Sequence, residues 1–189
     1  VLATVSASDI AFDEDTSSSD WIVSGSDVDG DALTFSITEG TNITATLDGS
    51  DIAFTASENF NGSETFTVTV TDGELSDSQD ITVTVNAVND APVATTGLSG
   101  TTNEDQDIVI NLSGSDVDGD ALTFTTGTPS NGSVTIDGNI ITYSPNQDYN
   151  GDDSFTFTVS DGELDDSATV TLTIDPVNDA PELVFELQD

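Results

Sequence analysis

The sequence predicts an all-β protein made of two tandem β-sandwiches of seven strands each, arranged end to end. Three observations predict this fold: segments recur at a fixed spacing, apolar residues alternate with threonine, and no stretch shows a convincing helical period. The spacing is close to the size of one small β-sandwich, which is about 90–100 residues.

The internal repeat runs through the whole chain. The stretch "SGSDVDGDALTF" at 24–35 returns letter for letter at 113–124, and "VNDAP" at 88–92 returns at 177–181. Both pairs are 89 residues apart. A fixed period over the whole length indicates two copies of one structural unit.

The repeat divides the chain into two predicted domains, 1–90 and 91–189. Pro92 stiffens the start of the second domain because its ring fixes the backbone φ angle. Residues 179–189 could begin a next repeat. The chain starts within the pattern, at "VLATVS", so we expect a monomeric fragment of a longer protein.

The apolar pattern within each copy is typical of strands. Phe155, Phe157 and Val159 alternate with polar residues, as in a half-buried strand. The stretch 134–143 reads as a hairpin with a tight turn at Asp137–Gly138. The strands predicted in the second copy are 93–99, 108–112, 121–126, 133–136, 140–143, 154–159 and 168–174, and the first copy follows the same order.

The charge balance excludes several partners. The chain has 37 acidic residues, no Lys, Arg or His, and a formal charge of −37. Nucleic acid is excluded because its binding depends on Lys and Arg at phosphates. No apolar run is long enough to cross a bilayer, so direct membrane insertion is not expected. High net charge is typical of disordered chains, but the regular apolar placement argues against disorder.

The composition also argues against an enzyme. Without His, Cys or Lys, the Ser–His and Cys–His nucleophile systems and Schiff-base chemistry are absent. A carboxylate pair of the glycosidase kind could still be built. No insertion is present that would form a cleft for such a pair, so we expect no catalytic activity.

The acidic residues gather in the loops at the two ends of each predicted sandwich. Two carboxylates about 5 Å apart repel by roughly 3 kcal/mol at an effective dielectric constant near 20, so such clusters favour a bound cation. Oxygen ligands alone suit a hard cation, and Ca²⁺ fits better than Mg²⁺, which keeps several waters. The residues expected at the junction are Glu14, Asp15, Glu64, Asn89 and Asp90 from the first copy, and Asp116, Asp118 and Asp161 from the second. The matching residues at the far end of the second copy are Glu104, Asp105, Asp153, Asp175, Asn178 and Asp179.

Two simpler interpretations explain these loops less well. Asp and Gly are common turn formers, which accounts for Asp137–Gly138 but not for several acids in each loop. An EF-hand beginning at Asp116 would need Gly at its sixth position and Glu at its twelfth. Those positions hold Ala121 and Gly127, and no helices flank the loop.

With "DVDGDALTF", "NGDDSFTFTVSDGEL" and "VNDAP", the chain resembles the cadherin-like, Ig-like tandem repeats of large bacterial surface adhesins of the RTX type. The resemblance implies Ig-like sandwiches in series, with calcium ions between them. It also implies the ligand positions, which are Glu14 and Glu104, Asp27 and Asp29, Asp116 and Asp118, Glu64 and Asp153, Asp72 and Asp161, Asn89 and Asp90, and Asn178 and Asp179. The first acid of the linker motif, Asp175, is Asn86 in the first copy.

The resemblance implies a function as well. It indicates calcium-rigidified extender repeats of a secreted or cell-surface bacterial adhesin, active in cell adhesion and biofilm formation. Neighbouring repeats would be the partners, and other domains would bind a glycan or cell-surface ligand. The alternative is a carbohydrate-binding or homophilic-contact module. Sugar sites usually need exposed aromatic residues, whereas Trp21, Tyr143 and most Phe residues fall at expected core positions.

Overall fold

The computed structural model describes residues 2–4, 10–181 and 183, and within them the protein is all-β. The chain folds into two compact units, Val1–Val88 and Asn89–Asp189. The boundary lies before Asn89, whereas the sequence placed it after Asp90. Most of 179–189, where a next repeat could begin, lies outside the described residues.

The first unit contains two main sheets. Its strands are β1 (Leu2–Thr4), β2 (Ile10–Asp13), β3 (Trp21–Ile22), β4 (Ser24–Ser26), β5 (Thr34–Ile37), β6 (Ile43–Asp48), β7 (Asp51–Ala56), β8 (Gly62–Thr71) and β9 (Ser76–Asn86). One sheet has the order β2-β9-β8-β5 and the other has the order β3-β7-β6, while β1 pairs with β4.

The second unit repeats this topology. Its strands are β10 (Val93–Ala94), β11 (Ser99–Asn103), β12 (Ile108–Asn111), β13 (Gly114–Ser115), β14 (Thr123–Thr126), β15 (Gly132–Asp137), β16 (Ile140–Pro145), β17 (Gly151–Ser160) and β18 (Asp165–Asp175). The sheets have the orders β11-β18-β17-β14 and β12-β16-β15, and β10 pairs with β13.

The predicted strand 93–99 is two strands. β10 pairs with β13, whereas β11 lies parallel to β18 in a different sheet, so the chain changes sheet between them. Gly97 lies in this crossing with φ of 76°, a left-handed conformation that favours glycine. The predicted hairpin is confirmed, since β15 and β16 pair antiparallel around Gly138, which has φ of 61°.

Each unit has its own apolar core between its two sheets. In the second unit, the alternation of Phe155, Phe157 and Val159 places all three side chains in the core. In the first unit, Phe54 and Phe66 pack edge to face with ring centroids 5.2 Å apart. Trp21 packs against that core, as its apolar register predicted. Among the described acidic residues, Glu14, Glu104 and Asp153 are the buried ones.

Candidate metal centre

Glu14 follows the last residue of β2, and its side chain is buried, with an exposed fraction of 2%. Its backbone N–H donates to the carbonyl oxygen of Asn86, and its Oε1 accepts the N–H of Val88 at 2.7 Å. Its Oε2 is buried and has no hydrogen-bond partner among the described residues. A buried anionic oxygen without a partner is costly unless a cation or a donor satisfies it.

Glu104 holds the same position in the second unit and is also buried, with an exposed fraction of 5%. Its N–H donates to the carbonyl oxygen of Asp175 at 2.9 Å, and its Oε1 accepts the N–H of Val177. Its Oε2 accepts a hydrogen bond of 3.2 Å from the Asn150 side chain. The two copies thus fix the segment after their last strand in the same way.

A cluster of three carboxylates surrounds this position in the second unit. Ligand oxygens of Asp105, Asp148 and Asp179 lie within 4.8 Å of one another. The N–H of Asp148 donates to Oδ1 of Asp105 at 3.1 Å, and both residues have left-handed φ angles, of 56° and 61°. Burial raises the pKa of Asp179, and the negative charges of Asp148, Glu104 and Asp105 raise it further. The cluster is therefore electrostatically unfavourable without a cation.

A second cluster lies at the other end of this unit. Ligand oxygens of Asp116, Asp118 and Asp120 lie within 4.8 Å of one another. Oδ2 of Asp116 is buried and has no hydrogen-bond partner within the described part of the chain. In the matching loop of the first unit, Asp27 organises the turn. Its Oδ1 accepts the N–H groups of Asp29, Gly30 and Asp31 at 2.8, 2.9 and 3.3 Å.

The linker residues Asn89 and Asp90 contact this second cluster. The Asn89 side chain donates to Oδ2 of Asp161 at 2.9 Å, and the N–H of Asp90 donates to Oδ2 of Asp118 at 2.9 Å. The hydrogen bond from Asn89, followed by those from the N–H groups of the loop after Asp161, lowers the pKa of Asp161. The structure thus brings together Asn89, Asp90, Asp118 and Asp161 beside Asp116.

Asp72 is the counterpart of Asp161 in the first unit. Its Oδ1 accepts the N–H groups of Glu74 and Leu75 at 2.8 and 2.7 Å, and these bonds lower its pKa. The same turn is formed by Asp161 in the second unit, where Oδ1 accepts the N–H groups of Glu163 and Leu164, both at 2.7 Å. In both units Oδ1 closes the turn.

Glu64 and Asp153 bind the protein backbone. Glu64 accepts the N–H groups of Thr41 and Asn42 at 2.9 and 2.8 Å. Burial raises its pKa, but the N–H donors of the loop outweigh burial and lower it. Asp153 accepts the N–H of Asn131 at 2.9 Å and the hydroxyl of Tyr143 at 2.8 Å. Both carboxylates hold the loop before the hairpin of their unit, so a metal would compete with these hydrogen bonds.

The remaining predicted ligands are Asp15 in the first unit and Asp175, Asn178 and Asp179 near the end of the second. Asp15 accepts the N–H of Asn59 at 3.1 Å, the same contact that Asp105 makes with Asp148. Asp175 is the last residue of β18, and the Asn178 side chain donates to the carbonyl oxygen of Asp179 at 3.2 Å. Asp148 and Asp120 belong to the two clusters but were not among the predicted ligands. Both lie in acidic loops, and this position in the sequence was the feature that could have identified them as ligands.

The residues of both clusters fit a hard divalent cation. Their ligand atoms are carboxylate oxygens, and the chain has no His or Cys that would suit a softer metal. In the first unit, Oε2 of Glu14 is buried and lacks a hydrogen-bond partner among the described residues, whereas the acids of an ordinary exposed loop are solvated. Oxygen ligands in flexible number are what Ca²⁺ prefers.

The family model of the bacterial Ig domain matches residues 2–84 and again 89–173. The chain belongs to the bacterial Ig domain family. The two matches correspond to the two compact units, so each unit is one bacterial Ig domain. Comparison with curated protein sequences finds no significant match.

Solved structures share the fold of these bacterial Ig domains. Human protocadherin-24 EC1-2 is 16% identical, with a TM-score of 0.60 over 94% of this chain and 98% of that chain. The protocadherin gamma B4 extracellular domain is also 16% identical, with a TM-score of 0.53 over 92% of this chain and 32% of that chain. These likenesses support an Ig-like or cadherin-like fold for the pair of domains.

An endo-fucoidan hydrolase from glycoside hydrolase family 107 is 22% identical, with a TM-score of 0.40 over 93% of this chain. This chain spans 29% of that hydrolase. In the part of the chain that the structure describes, no helix is both long and apolar enough to cross a bilayer.

Proposed function

We propose that the two bacterial Ig domains are calcium-rigidified extender repeats of a secreted or cell-surface bacterial adhesin of the RTX type. The observation that carries the proposal is Glu14, a buried glutamate whose Oε2 has no partner among the described residues. The family and the protocadherin likeness support an extracellular, structural role over a catalytic one.

Calcium would act by neutralising acids that otherwise repel. Oε1 of Glu14 already holds the backbone of Val88 at the end of the first domain, which leaves Oε2 for a cation. Asn89 and Asp90 follow directly and contact the acidic loops of the second domain. Cations held separately at Glu14 in the first domain and at the Asp116, Asp118 and Asp120 cluster in the second would neutralise the acids on either side of the linker, and we propose that repeats loaded in this way form a stiff extension.

The affinity expected of such sites fits an extracellular location. Extracellular calcium modules have dissociation constants near 10⁻⁴ to 10⁻³ M. The repeats would therefore be loaded outside the cell and empty at cytosolic calcium. Neighbouring repeats of the same polypeptide are the proposed partners, and a distal region would bind the glycan or cell-surface ligand in adhesion and biofilm formation.

Thermal unfolding of the whole chain tests the proposal. At constant ionic strength, 10 mM CaCl₂ is about 10 to 100 times these dissociation constants, so each occupied site would stabilise the fold by about 1.4–2.7 kcal/mol. We expect Tm to be highest in CaCl₂, lower in MgCl₂ and lowest in EGTA. Equal Tm values in CaCl₂ and EGTA would refute the proposal.

A matched pair of variants locates the effect. Glu14→Gln keeps an oxygen for the N–H of Val88 but loses the charge, so it should lose part of the calcium-dependent rise in Tm. Glu39→Gln removes an equal charge from an exposed loop residue outside both clusters. This control should keep the full rise, and an equal loss in both variants would indicate nonspecific screening instead of a site.

A further inference from the structure

A cavity of about 520 Å³ opens on the second domain, at the end of the sheet where β17 begins. Four hydroxyl residues line it together with one exposed carboxylate and one amide, namely Ser130, Ser154, Thr171, Thr173, Asp152 and Asn131. Ligand pockets in proteins usually have volumes of about 300–1,000 Å³. The cavity is therefore large enough for a small ligand, and its lining residues are mainly polar.

The cavity exists because β14 is shorter than the strand it pairs with. β18 pairs with β17 over its whole length, from Gly151 to Ser160. β14 pairs with β17 only from Phe157 to Ser160, and Gly127 N–H adds one hydrogen bond of 2.8 Å to the carbonyl oxygen of Thr156. Among the described residues, the rest of this edge of β17 therefore has no strand beside it, and it forms one wall of the cavity.

The loop that carries Ser130 and Asn131 forms another wall and is held by Asp153. Oδ1 of Asp153 accepts the N–H groups of Ser130 and Ser154 at 3.2 and 2.9 Å. Oδ2 accepts the N–H of Asn131 at 2.9 Å and the hydroxyl of Tyr143 at 2.8 Å. Asp153 is itself buried and thus fixes the shape of the cavity, while both of its oxygens are already occupied.

Asp152 supplies the carboxylate that a ligand can reach. Successive side chains of a strand point to opposite faces, so Asp152 points outward next to the buried Asp153. Its Oδ1 accepts the Thr173 hydroxyl in a long hydrogen bond of 3.3 Å, and its backbone carbonyl oxygen accepts the Tyr149 hydroxyl at 2.7 Å. The side chain is thus oriented through Oδ1, which leaves Oδ2 for a ligand.

Asp152 and the hydroxyl residues form a small patch with regular spacing. Asp152 lies opposite Thr173, and Ser154 lies opposite Thr171 in the same strand pair. Opposite side chains are about 4.5–5.5 Å apart across the strands, and alternate residues are about 7 Å apart along a strand. The patch is therefore comparable in size to one sugar ring with its hydroxyl groups.

We propose that this cavity binds one neutral hexopyranose ring of a glycan. Each sugar hydroxyl donates and accepts hydrogen bonds, and the lining offers hydroxyl and amide donors beside a carboxylate acceptor. Acidic sugars are disfavoured, because Asp152 repels them and the chain has no Lys, Arg or His to bind a carboxylate or sulfate group. This site goes beyond the proposed extender function and does not depend on it.

The lining also determines how strong the binding should be. It contains no Trp, Tyr or Phe on which a sugar ring would stack, and its one leucine, Leu172, is buried. Binding therefore depends on hydrogen bonds that compete with water, and we expect a millimolar dissociation constant. A row of such domains would bind a polysaccharide more tightly through multivalency, and only this gain rests on the proposed repeat function.

The first domain provides a comparison within the same chain. Ser63 is the counterpart of Asp152, and its hydroxyl forms a hydrogen bond of 3.0 Å with the hydroxyl of Thr84. Thr65 and Thr82 lie opposite each other at the second pair of positions. The first domain thus has the hydroxyl groups without the carboxylate, so we expect sugar binding in the second domain.

NMR titration of the whole isotope-labelled chain in EGTA tests the site. The probes are the methyl glycosides of glucose, mannose and galactose, with sodium glucuronate at the same ionic strength as the acidic comparison. EGTA removes calcium that would bridge a sugar to the acidic loops. We expect at least one neutral glycoside to give saturable shifts of the amide signals around Asp152 and Thr173, and glucuronate to bind several-fold more weakly.

Three results of the titration would overturn the proposal. One is the absence of saturable shifts with all three neutral glycosides. Another is equal shifts in the two domains, which would indicate a general effect of the sugar on the solvent. The third is binding of glucuronate as tight as that of the best neutral glycoside.

Three variants test the residues of the site. Asp152→Ser copies the first domain and should weaken binding about tenfold, because a charge-assisted hydrogen bond is lost. Thr173→Val keeps the side-chain shape and removes the hydroxyl that orients Asp152, so it should weaken binding several-fold. Asp165→Ser is the matched control, because it removes an equal charge from the exposed far end of the same strand pair. Unchanged binding in Asp152→Ser, or equal weakening in Asp165→Ser, would refute the role of Asp152.

Melting in EGTA separates binding from folding. Positions 152, 165 and 173 are all exposed, so each variant should keep a Tm close to that of the unmodified chain. Thr173→Val keeps a β-branched residue in the strand and provides the test if Asp152→Ser is unstable. A calcium-dependent rise in Tm without sugar binding would refute this site while the extender proposal stands, and sugar binding in EGTA without any calcium effect would do the reverse.

Discussion

The side-chain amide of Asn86 donates a hydrogen bond of 3.0 Å to Oδ1 of Asp13 on the neighbouring strand. The second domain exchanges the two residue types, with Asn103 opposite Asp175 in the same ladder. Each copy thus places one acid and one amide at this pair. Two acids directly opposite would repel, and the chain contains no cation side chain that could separate them.

Placing a second acid at this pair should destabilise the first domain, whereas exchanging the two residues should not. Asn86→Asp should destabilise the first domain by about 0.5–1 kcal/mol, because it places like charges opposite each other on neighbouring strands. The double variant Asp13→Asn with Asn86→Asp copies the second domain and should recover most of that loss. Urea unfolding in EGTA measures both. Failure of the double variant to recover would show that the pair does not act through charge.

The two domains also differ at a pair of neighbouring residues on facing sheets. Tyr143 donates its hydroxyl to Asp153 at 2.8 Å, and in the first domain the corresponding residues are Phe54 and Glu64. The shorter Asp153 receives the tyrosine hydroxyl, whereas the longer Glu64 meets three backbone N–H groups of its loop without one. The two pairs are alternative ways to satisfy the carboxylate at this position, which is buried in Asp153 and half-buried in Glu64.

Tyr143→Phe should therefore cost about 1–2 kcal/mol of stability, since it leaves a buried carboxylate with one donor fewer. Adding Asp153→Glu should restore part of the loss by rebuilding the pair found in the first domain. Tyr149→Phe is the control, because that hydroxyl binds an exposed carbonyl oxygen at 2.7 Å. Equal losses for Tyr143→Phe and Tyr149→Phe in denaturant unfolding would contradict the account.

The stabilisation by Asp153 should depend on pH in a defined direction. Burial raises the pKa of Asp153, but hydrogen bonds from Tyr143 and from backbone N–H groups outweigh burial and lower it below 3.8. A lowered folded-state pKa means that the stabilisation is complete well above pH 3.8 and is lost as the pH falls through the folded-state value. The stability difference between the unmodified chain and Asp153→Asn should be constant from pH 7 to about 5 and shrink below pH 4. A difference that grows in acid would contradict this assignment.

Asp148 should control calcium affinity at the end of the second domain. Its counterpart in the first domain is Asn59, which makes the same backbone contact with Asp15. Asp148→Asn should weaken calcium binding several-fold and raise Tm in EGTA, because it removes repulsion from Asp105 and Asp179.

Calorimetric titration and melting in EGTA measure the two effects of Asp148→Asn. Asn59→Asp is the converse variant in the first domain, and it should lower Tm in EGTA. A substitution of Asp148 that changes neither calcium affinity nor Tm in EGTA would exclude this residue from the site.

The sequence predicted the sandwich pair and the acidic ends because both follow from periodicity. Alternation places Phe155 and Phe157 inside, and alternating strand directions send the loops of Asp105 and Asp116 to opposite ends. The same alternation, continued back from Phe155, turns Asp153 inward. Its position next to Tyr143 depends on packing between sheets, which periodicity does not encode.

The environment of Glu14 was likewise only partly predictable from the sequence. Its position in an acidic loop was evident from the sequence, but its burial and its contact with Val88 arise from two segments 74 residues apart. The parallel ladder was also missed, because the predicted strand 93–99 gave no sign that the chain changes sheet near Gly97. Both features depend on tertiary structure and not on local pattern.

The most direct measurement is the anomalous X-ray signal of calcium in crystals grown with millimolar CaCl₂. We expect a calcium peak within about 2.3–2.6 Å of Oε2 of Glu14, the usual distance for a calcium–oxygen ligand. A well-ordered Glu14 carboxylate at full calcium saturation with no peak beside it would contradict the central claim that divalent cations complete the acidic ends of these domains.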